Sequence, residues 1–367
     1  MKYDDLIKSP TIVLNTNRAK ENIARMVSKA AAQGILFRPH FKTHQSALIG
    51  EWFREAGVGC ITVSSVKMAQ YFAQNGWNDI LIAFPVNIRE IDALLDLSAR
   101  IQLGLLVDHI DALRNLLKYD SLKAEIWIKI DTGLGRAGIC WDDVSRVEEI
   151  ATLLQGNHHL RLRGLLTHAG QTYHAKSADQ IKTLYRESTE RLVLCRDQIN
   201  SVIGHSVMLS VGDTPGCWLS EDLGGIDEIR PGNFIFFDAM MYSLGVCREE
   251  EIAFCVACPV VSKYDDRSEV LIYGGAVHLS KEVIENSNPA IYGFAVTASD
   301  SSLWTIRKSN FVRSLSQEHG VVKLDRETYE SIKVGDLLFI IPVHSCLVVE
   351  ALRRYLSTEG AWIDTGV

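Results

Sequence analysis

The segment Ala124-Glu-Ile-Trp-Ile-Lys-Ile130, followed at once by Asp131-Thr-Gly-Leu-Gly-Arg136, is the most informative part of the sequence for the fold class. Its first half is almost entirely apolar and rich in β-branched residues, which is typical of a strand buried on both faces of a parallel sheet. Its second half is polar and rich in glycine, as expected of the loop after such a strand. The segment therefore predicts an α/β fold.

The same pattern recurs on both sides of this segment, up to about residue 240. After a first run at 11–14, the predicted strands are 35–40, 59–63, 79–84, 101–107, 124–130, 162–168, 207–211 and 227–230. The predicted helices are 46–56, 65–75, 89–96, 108–118, 141–154 and 178–202. Eight βα units predict a (β/α)8 TIM barrel. A doubly wound open sheet is the alternative, but the first strand lacks the Gly-x-Gly-x-x-Gly fingerprint of dinucleotide-binding sheets.

The alternation of strands and helices ends near residue 240. Beyond Glu251, strand-like runs follow one another without long helices, at 253–262, 269–273, 303–306, 320–323 and 337–342. We therefore predict two domains: a barrel over residues 11–240 and an all-β domain over residues 241–367, which residues 1–10 join.

The composition is that of an ordinary globular protein and excludes several classes. The chain has 367 residues, 47% of them hydrophobic, and a net charge of −7. This balance excludes disordered and fibrous chains and gives no electrostatic footprint for nucleic acid or an anionic membrane. No apolar run approaches the roughly 18–20 residues of a membrane span, and the N-terminus lacks the apolar core of a secretory signal. The eight cysteines are scattered, so a reduced, cytoplasmic protein is expected.

The active site of a parallel barrel lies at the carboxyl ends of its strands. One such end carries Arg38-Pro-His40-Phe-Lys42-Thr-His44. Residues two apart on a strand share a face, so Arg38, His40, Lys42 and His44 are expected to point the same way. Cationic neighbours and partial burial would keep the amine of Lys42 uncharged and nucleophilic, ready to form a Schiff base. The alternative is a solvated loop.

Other strand ends supply groups that suit an anionic cofactor. Gly212-Asp-Thr-Pro-Gly216 offers backbone N–H groups and a hydroxyl as a phosphate cradle, although the same residues make an ordinary turn. A Schiff-base lysine and a phosphate cradle on one rim together indicate pyridoxal phosphate. His168 is placed to stack on the cofactor ring, Tyr173 to bind its phosphate and Arg136 to reach an anionic oxygen. The alternatives are a core histidine and a surface arginine.

A second group of candidate ligands follows the apolar run 337–341, in Pro342-Val-His344-Ser-Cys346. His344 and Cys346 are expected to share one face of a strand at period two. An imidazole and a thiolate are a donor pair suited to Zn²⁺, and two protein ligands leave positions for water or substrate. On these residues alone, a buried cysteine beside a packed histidine is the favoured interpretation.

Taken together, the motifs resemble the D-serine dehydratase and D-threonine aldolase family, fold-type III pyridoxal-phosphate enzymes related to alanine racemase. The resemblance extends over nearly the whole chain. It rests on the segments 38–44, 129–138, 164–170, 210–215, 230–232 and 344–346.

The resemblance implies a role for each candidate residue. Lys42 would carry pyridoxal phosphate and act as the base at the substrate α-carbon, with His168 against the ring. The phosphate would be held by Tyr173, Gly212, Asp213 and Thr214, with Gly232 and Asn233 nearby. His344 and Cys346 would bind a divalent metal, Zn²⁺ in preference to Mn²⁺ or Mg²⁺, and the protein would be a homodimer. Asn233-Phe234 replaces an expected tyrosine, and the carboxylate of Asp213 is expected to turn away from the phosphate.

The implied activity is that of a lyase for a D-configured 3-hydroxy amino acid. Family members that eliminate water resemble the His-x-Cys pair of this chain, whereas several aldolases carry His-x-Asp. We therefore predict β-elimination to a 2-oxo acid and ammonia, with retro-aldol cleavage to glycine and an aldehyde as the alternative. An amino-acid racemase, a non-catalytic pyridoxal-phosphate homeostasis protein and a zinc hydrolase remain less favoured. The signature of alanine racemases is absent around Lys42, and homeostasis proteins lack a C-terminal domain.

Overall fold

The computed structural model describes residues 4–285, 287–297 and 305–367. The chain forms two compact units. One, which we call the α/β unit, comprises Ala24–Gly232 with Val367; the other, the β unit, comprises the residues up to Ile23 together with Asn233–Gly366. No helix among the described residues has the length and apolar character needed to span a membrane.

The strands and helices are numbered along the chain. The strands are β1 (Thr11–Leu14), β2 (Leu36–Phe37), β3 (Ile61–Val63), β4 (Asp79–Pro85), β5 (Gln102–Val107), β6 (Ala124–Asp131), β7 (Ile139–Cys140), β8 (Leu160–Thr167), β9 (Met208–Val211), β10 (Glu228–Ile229), β11 (Phe254–Tyr264), β12 (Glu269–Tyr273), β13 (Gly293–Thr297), β14 (Thr305–Leu315), β15 (His319–Lys323), β16 (Leu337–Pro342), β17 (Arg354–Ser357) and β18 (Trp362–Asp364). The helices are α1 (Thr16–Ala32), α2 (Ala47–Glu55), α3 (Val66–Gln74), α4 (Ile91–Ser98), α5 (Ile110–Leu116), α6 (Val144–Leu154), α7 (Ala178–Ile203), α8 (Thr214–Leu219), α9 (Ala239–Ser243), α10 (Ala276–Leu279), α11 (Arg326–Ser331) and α12 (Ser345–Leu352).

The α/β unit is built on a parallel sheet in the order β2-β10-β9-β8-β6-β5-β4-β3, with β7 paired to β6. Beyond β2, a parallel bridge joins His40 to Thr62 in β3, so the two ends of this order also meet. All eight predicted strands of this region are confirmed, with differences only at their ends. The sheet is TIM-like, as the apolar strands and intervening helices predict.

The sequence explains how the helices cover this sheet. Helix α7 buries a stripe of residues at helical spacing, Ile181, Tyr185, Ser188, Leu192, Cys195 and Ile199. The hydroxyl of Ser177 accepts a hydrogen bond from the backbone N–H of Gln180 at its start, and Gly204, with a φ of 76°, ends it in the left-handed conformation. On the inner side, Leu81, Leu106, Trp127 and Leu166 form a buried cluster.

The β unit contains a closed antiparallel barrel. Strands β11, β12, β15, β14, β13 and β16 pair in a ring, because β11 pairs with both β12 and β16. Strand β1 joins β11, then pairs in parallel with β17, which pairs with β18. Closure leaves no unpaired edge within the ring.

Most of the predicted strands of this unit are confirmed. The runs 253–262, 269–273, 320–323 and 337–342 correspond to β11, β12, β15 and β16. The run 303–306 begins outside the described residues, and β14 is described from Thr305. Strands β13, β17 and β18 and the short helices α10–α12 add to what the sequence pattern predicts, so the unit is not made of strands alone.

Candidate active site and metal site

Lys42 lies on a turn at the carboxyl end of the extended segment that continues β2. The bridge of His40 to Thr62 is the last strand pairing, reinforced by the backbone N–H of Phe41, which donates to the carbonyl of Thr62 over 2.9 Å. Residues 41–44 then form the turn, in which the side chain of Lys42 is half-buried. The amine of Lys42 is therefore held at the rim of the parallel sheet.

The prediction that His44 shares a face with Lys42 is wrong, and Arg38 is held by carboxylates. The guanidinium of Arg38 is occupied by two carboxylates: Nε lies 2.7 Å from Oε2 of Glu228 and Nη1 lies 2.5 Å from Oδ1 of Asp79. A buried guanidinium needs such partners, because an unpaired buried charge is strongly destabilising. The period-two pattern also ends at His40, because the chain turns there.

His44 is a core residue. Its ring stacks on Phe53 with centroids 5.5 Å apart and meets the edge of Phe41 at 4.3 Å. Its Nδ1 accepts a hydrogen bond from the backbone N–H of Ser46 over 3.2 Å. Burial lowers the pKa of His44 to about 3, so the ring is neutral. His44 is thus a core histidine, the alternative that the sequence left open for His168 only.

The positive charge of Lys42 acts on two imidazoles, those of His40 and His168. Burial, followed by the charge of Lys42, holds the pKa of each well below its usual value. Nδ1 of His168 is hydrogen-bonded to the carbonyl oxygen of Gly212. A carbonyl only accepts, so Nδ1 of His168 carries the proton and Nε2 presents a lone pair. Both rings are neutral neighbours of the lysine.

The segment after β9 forms a loop that contains a buried hydroxyl without a hydrogen-bond partner among the described residues. The backbone N–H of Thr214 donates to the hydroxyl of Tyr173 over 3.3 Å. The Thr214 hydroxyl is buried and has no hydrogen-bond partner among the described residues. A buried hydroxyl without a partner is costly. A phosphate oxygen would satisfy it, and this feature makes the site fit pyridoxal phosphate.

The carboxylate of Asp213 is used for structure. Oδ2 accepts from the backbone N–H of Gly216 over 2.6 Å and from the hydroxyl of Thr172 over 2.9 Å, which caps α8. Burial raises the pKa of Asp213 to about 6 in spite of these hydrogen bonds. Oδ2 is thus engaged at the start of α8, which ties the carboxylate of Asp213 to that helix.

Two glycines allow the strand ends around this cradle to approach closely. A Cβ on Gly212 would lie 2.9 Å from Nη2 of Arg230, and one on Gly232 would lie 2.8 Å from the carbonyl oxygen of His40. Arg230 is buried and donates through Nη2 to the carbonyl of Thr167 over 2.7 Å. Sequence reasoning missed Arg230 as a site residue, although the Arg-Pro-Gly segment pointed to its position.

Arg136 stands on a loop shaped by Asp131. The carboxylate of Asp131 accepts hydrogen bonds from the backbone N–H groups of Gly133, Leu134 and Gly135, each over 2.9 Å. Gly138 has a φ of 114°, a conformation that favours glycine. The side chain of Arg136 is exposed, and its charge contributes to the low pKa of His168.

A second lysine was missed by sequence reasoning. Lys129 lies on β6 and is 6% exposed. Burial, followed by the charges of Arg230 and Arg136, lowers its pKa to about 7. The signal was a lysine within the otherwise apolar run 126–130.

Asn233 belongs to the β unit. Its Nδ2 donates to Oδ2 of Asp238 over 2.6 Å and to the hydroxyl of Ser345 over 3.0 Å. A contact of this amide with a phosphate would require breaking those hydrogen bonds. The structure therefore groups the side chain of Asn233 with the segment of His344.

His344 and Cys346 lie at a junction between strand and helix. Strand β16 ends at Pro342, His344 is the N-cap of α12, and Cys346 lies in the first turn of that helix. The prediction of a shared strand face is wrong because the strand ends before the pair. The side chains nevertheless interact: burial favours the neutral imidazole, but hydrogen bonds to Cys346 and Glu282 outweigh it and raise the pKa of His344 to about 11.

The donor set suits a divalent metal with open positions. Over residues 4–285, 287–297 and 305–367, no cluster of three or more His, Cys, Asp or Glu side chains is placed to hold a metal ion. The chain thus offers the two donors His344 and Cys346. An imidazole and a thiolate favour borderline-soft ions such as Zn²⁺, and the remaining positions would fall to water or substrate.

A lysine on the rim of a TIM-like parallel sheet, a buried anion cradle beside it and a closed antiparallel barrel on the same chain define the class of alanine-racemase-like pyridoxal-phosphate enzymes. Comparison with family models agrees. Residues 14–240 match "Alanine racemase, N-terminal domain", and the chain belongs to this family. Residues 253–358 match "Putative serine dehydratase domain".

Individual relatives match over almost their whole length. D-threo-3-hydroxyaspartate dehydratase from Delftia sp. (strain HT23) is 28% identical over 97% of this chain and 96% of that protein. D-serine dehydratase from Dictyostelium discoideum is 28% identical over 96% of this chain and 94% of that protein. The solved structure of the Delftia enzyme has a TM-score of 0.89 at 27% identity and covers 98% of each chain. Another structure of D-threo-3-hydroxyaspartate dehydratase, at 26% identity, 98% coverage of each chain and a TM-score of 0.88, is a cysteine-to-alanine mutant in the metal-free form. The resemblance to the D-serine dehydratase and D-threonine aldolase family is confirmed.

Proposed function

We propose that this chain is a lyase that uses pyridoxal phosphate and a divalent metal to act on a D-configured 3-hydroxy amino acid, with D-serine dehydratase-type elimination to a 2-oxo acid and ammonia as its reaction. The observation that carries this proposal is the grouping of Lys42, two neutral imidazoles and the unpartnered hydroxyl of Thr214 in a chain whose full-length relatives are named as dehydratases of D-hydroxy amino acids.

The residues of the α/β unit suit the binding of the cofactor. Lys42 would anchor it, His168 would lie against its ring, Gly232 would lie near its phosphate, and Arg136 would reach an anionic oxygen of the cofactor. The phosphate would be held by Tyr173, Gly212, Asp213 and Thr214. When bound, pyridoxal phosphate supplies an electron sink that makes the substrate α-proton acidic. The amine of Lys42 would then move the proton at the α-carbon, and the neutral rings of His40 and His168 would add no competing positive charge.

The pair His344 and Cys346 would bind the metal, for which we propose Zn²⁺ in preference to Mn²⁺ or Mg²⁺. A bound divalent ion supplies Lewis acidity toward an oxygen atom such as a substrate hydroxyl. The proposal is supported by the contact between the two side chains and by the metal-free form of a cysteine mutant among the similar structures. The role of this chain is to fix the imidazole and the thiol at the start of α12.

The finer organisation is also proposed. The bridge of His40 to Thr62 supports a complete (β/α)8 barrel. The bounds 11–240 for the barrel and 241–367 with residues 1–10 for the β-domain stay predictions from the change of sequence pattern near residue 240. By internal contacts, the residues up to Ile23 and Asn233–Gly366 form the β unit. A homodimer and a cytoplasmic location remain predictions from the family resemblance and from the scattered cysteines.

The decisive experiment identifies the product. Purified protein loaded with pyridoxal phosphate and Zn²⁺ is incubated with D-serine, D-threonine and D-threo-3-hydroxyaspartate, with L-serine as the control for stereochemistry. We expect a 2-oxo acid and ammonia from at least one D-substrate. Glycine and an aldehyde instead would replace the proposal with the aldolase alternative. Racemised substrate, or no turnover despite bound cofactor, would favour a racemase or a non-catalytic carrier.

A further inference from the structure

A carboxylate from a distant part of the chain lies against the candidate metal ligand His344. Glu282 follows α10, and Oε2 of Glu282 lies 3.4 Å from Nδ1 of His344. Both side chains are partly buried, with 40% of Glu282 and 24% of His344 exposed. The contact is within the β unit, and neither the motifs nor the resemblance pointed to Glu282.

The identity of the nitrogen gives the contact its chemical meaning. A carboxylate accepts hydrogen bonds, so a glutamate beside Nδ1 favours the form of the ring in which Nδ1 carries a proton. The proton on Nδ1 leaves the lone pair of Nε2 free for a metal ion. Histidines that ligate metals regularly donate their other N–H to a carboxylate, which fixes the orientation of the ring and strengthens the ligand.

The backbone of the same junction is fixed by a different carboxylate. Oδ2 of Asp238 accepts from the backbone N–H of Ser345 over 3.0 Å, and Oδ1 accepts from the N–H of Met241 over the same distance. Asp238 therefore holds the start of α12, which leaves the rotation of the His344 ring to be set by the groups that touch it, Cys346 and Glu282. Glu282 is the group on the side of Nδ1.

We propose that Glu282 is a positioning residue for the metal site: it holds the imidazole of His344 with Nδ1 protonated, so that Nε2 is presented to the ion. This inference rests on the proposed function, because it takes His344 as a metal ligand. Glu282 is not itself assigned as a ligand, since among the described residues it does not complete a cluster of three donors.

The test is a metal titration of three variants. Glu282→Ala removes the acceptor, Glu282→Gln keeps the shape and an amide oxygen that accepts from Nδ1, and Glu285→Gln removes the same charge from an exposed position on the same segment. Protein loaded with pyridoxal phosphate is titrated with Zn²⁺ and with Mn²⁺ by calorimetry. We expect Glu282→Ala to bind about 10–100-fold more weakly, Glu282→Gln to fall between, and Glu285→Gln to match the unaltered protein.

A second measurement reads the ring itself. Nitrogen-15 NMR of the protein loaded with Zn²⁺, with the His344 signals assigned by difference from His344→Asn, reports which ring nitrogen carries the proton and which binds the ion. We expect protonated Nδ1 in the unaltered protein and a shift toward the other tautomer in Glu282→Ala, while thermal unfolding checks that the variant is folded.

The outcomes separate this inference from the proposed function. Equal metal affinity in the unaltered protein and Glu282→Ala, or an unchanged tautomer, would overturn the role of Glu282 while leaving the metal site in place. An unaltered protein that binds no metal would overturn both. Weaker binding in Glu285→Gln as well would show a general effect of charge and would also overturn the inference.

Discussion

The turn that carries Lys42 and the junction that carries His344 and Cys346 both follow a strand, yet their surroundings have opposite electrostatic character. The charges of Lys42 and Arg230 act on His40, and those of Lys42 and Lys129 act on His168, while both imidazoles stay neutral. Around His344 lie carboxylates, with Glu282 in contact and Asp238 close enough to raise its pKa. The first environment favours an anion such as phosphate, and the second favours a cation. Two elements of similar topology thus become opposite binding sites through the residues that other segments bring to them.

The largest effect is expected from removing the amine of the cationic site. Lys42→Ala should lower lyase activity by about 10⁴-fold, because the same group anchors the cofactor and moves the α-proton. The visible absorbance of the lysine-bound cofactor should disappear as well. Lys182→Ala, an exposed lysine on α7, is the matched control and should leave both unchanged. Retained absorbance in Lys42→Ala would disprove the assignment of the anchor.

Removing the ion from the second site should have a smaller effect and should spare the first site. Treatment with a chelator is expected to lower activity at least about 100-fold, since Lewis-acid stabilisation is worth several kcal/mol. The visible absorbance of the cofactor should persist, because separate residues hold it. Added Zn²⁺ should restore activity to the unaltered protein and to Cys140→Ala, which lacks an exposed thiol, but not to Cys346→Ala. Activity that is indifferent to the chelator would contradict the comparison.

The smallest effect concerns the stability of the cofactor-free protein. Because the pKa of Lys129 is about 7 when folded and its ordinary value is 10.5, the unfolded chain binds more protons between these values. Stability therefore rises with pH across this window, by about 2 kcal/mol between pH 7 and pH 9 from this lysine. Urea unfolding at the two pH values should show that Lys129→Met lacks this increment. Lys118→Met, exposed on the same unit, should keep it. An identical pH response in both variants would show that the Lys129 site is not desolvated.

Much of the fold could be predicted because a strand that is buried on both faces is a continuous apolar run in the sequence. The parallel strands are short apolar runs, and β12 and β16 fall at their predicted bounds. The strands that escaped prediction carry weaker signals: β17 and β18 are short, and each begins with an exposed residue. Helix α8 holds a proline and a glycine, which read as a turn.

The candidate site residues that directly follow a strand could be predicted from the sequence. Those placed by contacts with distant segments could not. Lys42 and the cradle residues follow strands in sequence, so the edge of the sheet brings them together. His44 was misassigned because the alternation of side chains depends on the strand continuing, and pairing ends at His40. Glu282 and Arg230 owe their roles to tertiary contacts, which no spacing along the chain encodes.

The position of Cys346 in the first turn of α12 has a consequence for how such a site can change. The start of α12 is held by the backbone N–H of Ser345, which donates to the carboxylate of Asp238 in a hydrogen bond that does not involve the thiol. The side chain at position 346 can therefore be replaced without changing the backbone that positions it. Replacing sulfur with a carboxylate oxygen would move the site from softer toward harder ions while leaving the strand and helix as they are. A single substitution can thus change which metal ion the site prefers while the fold of the β unit stays the same.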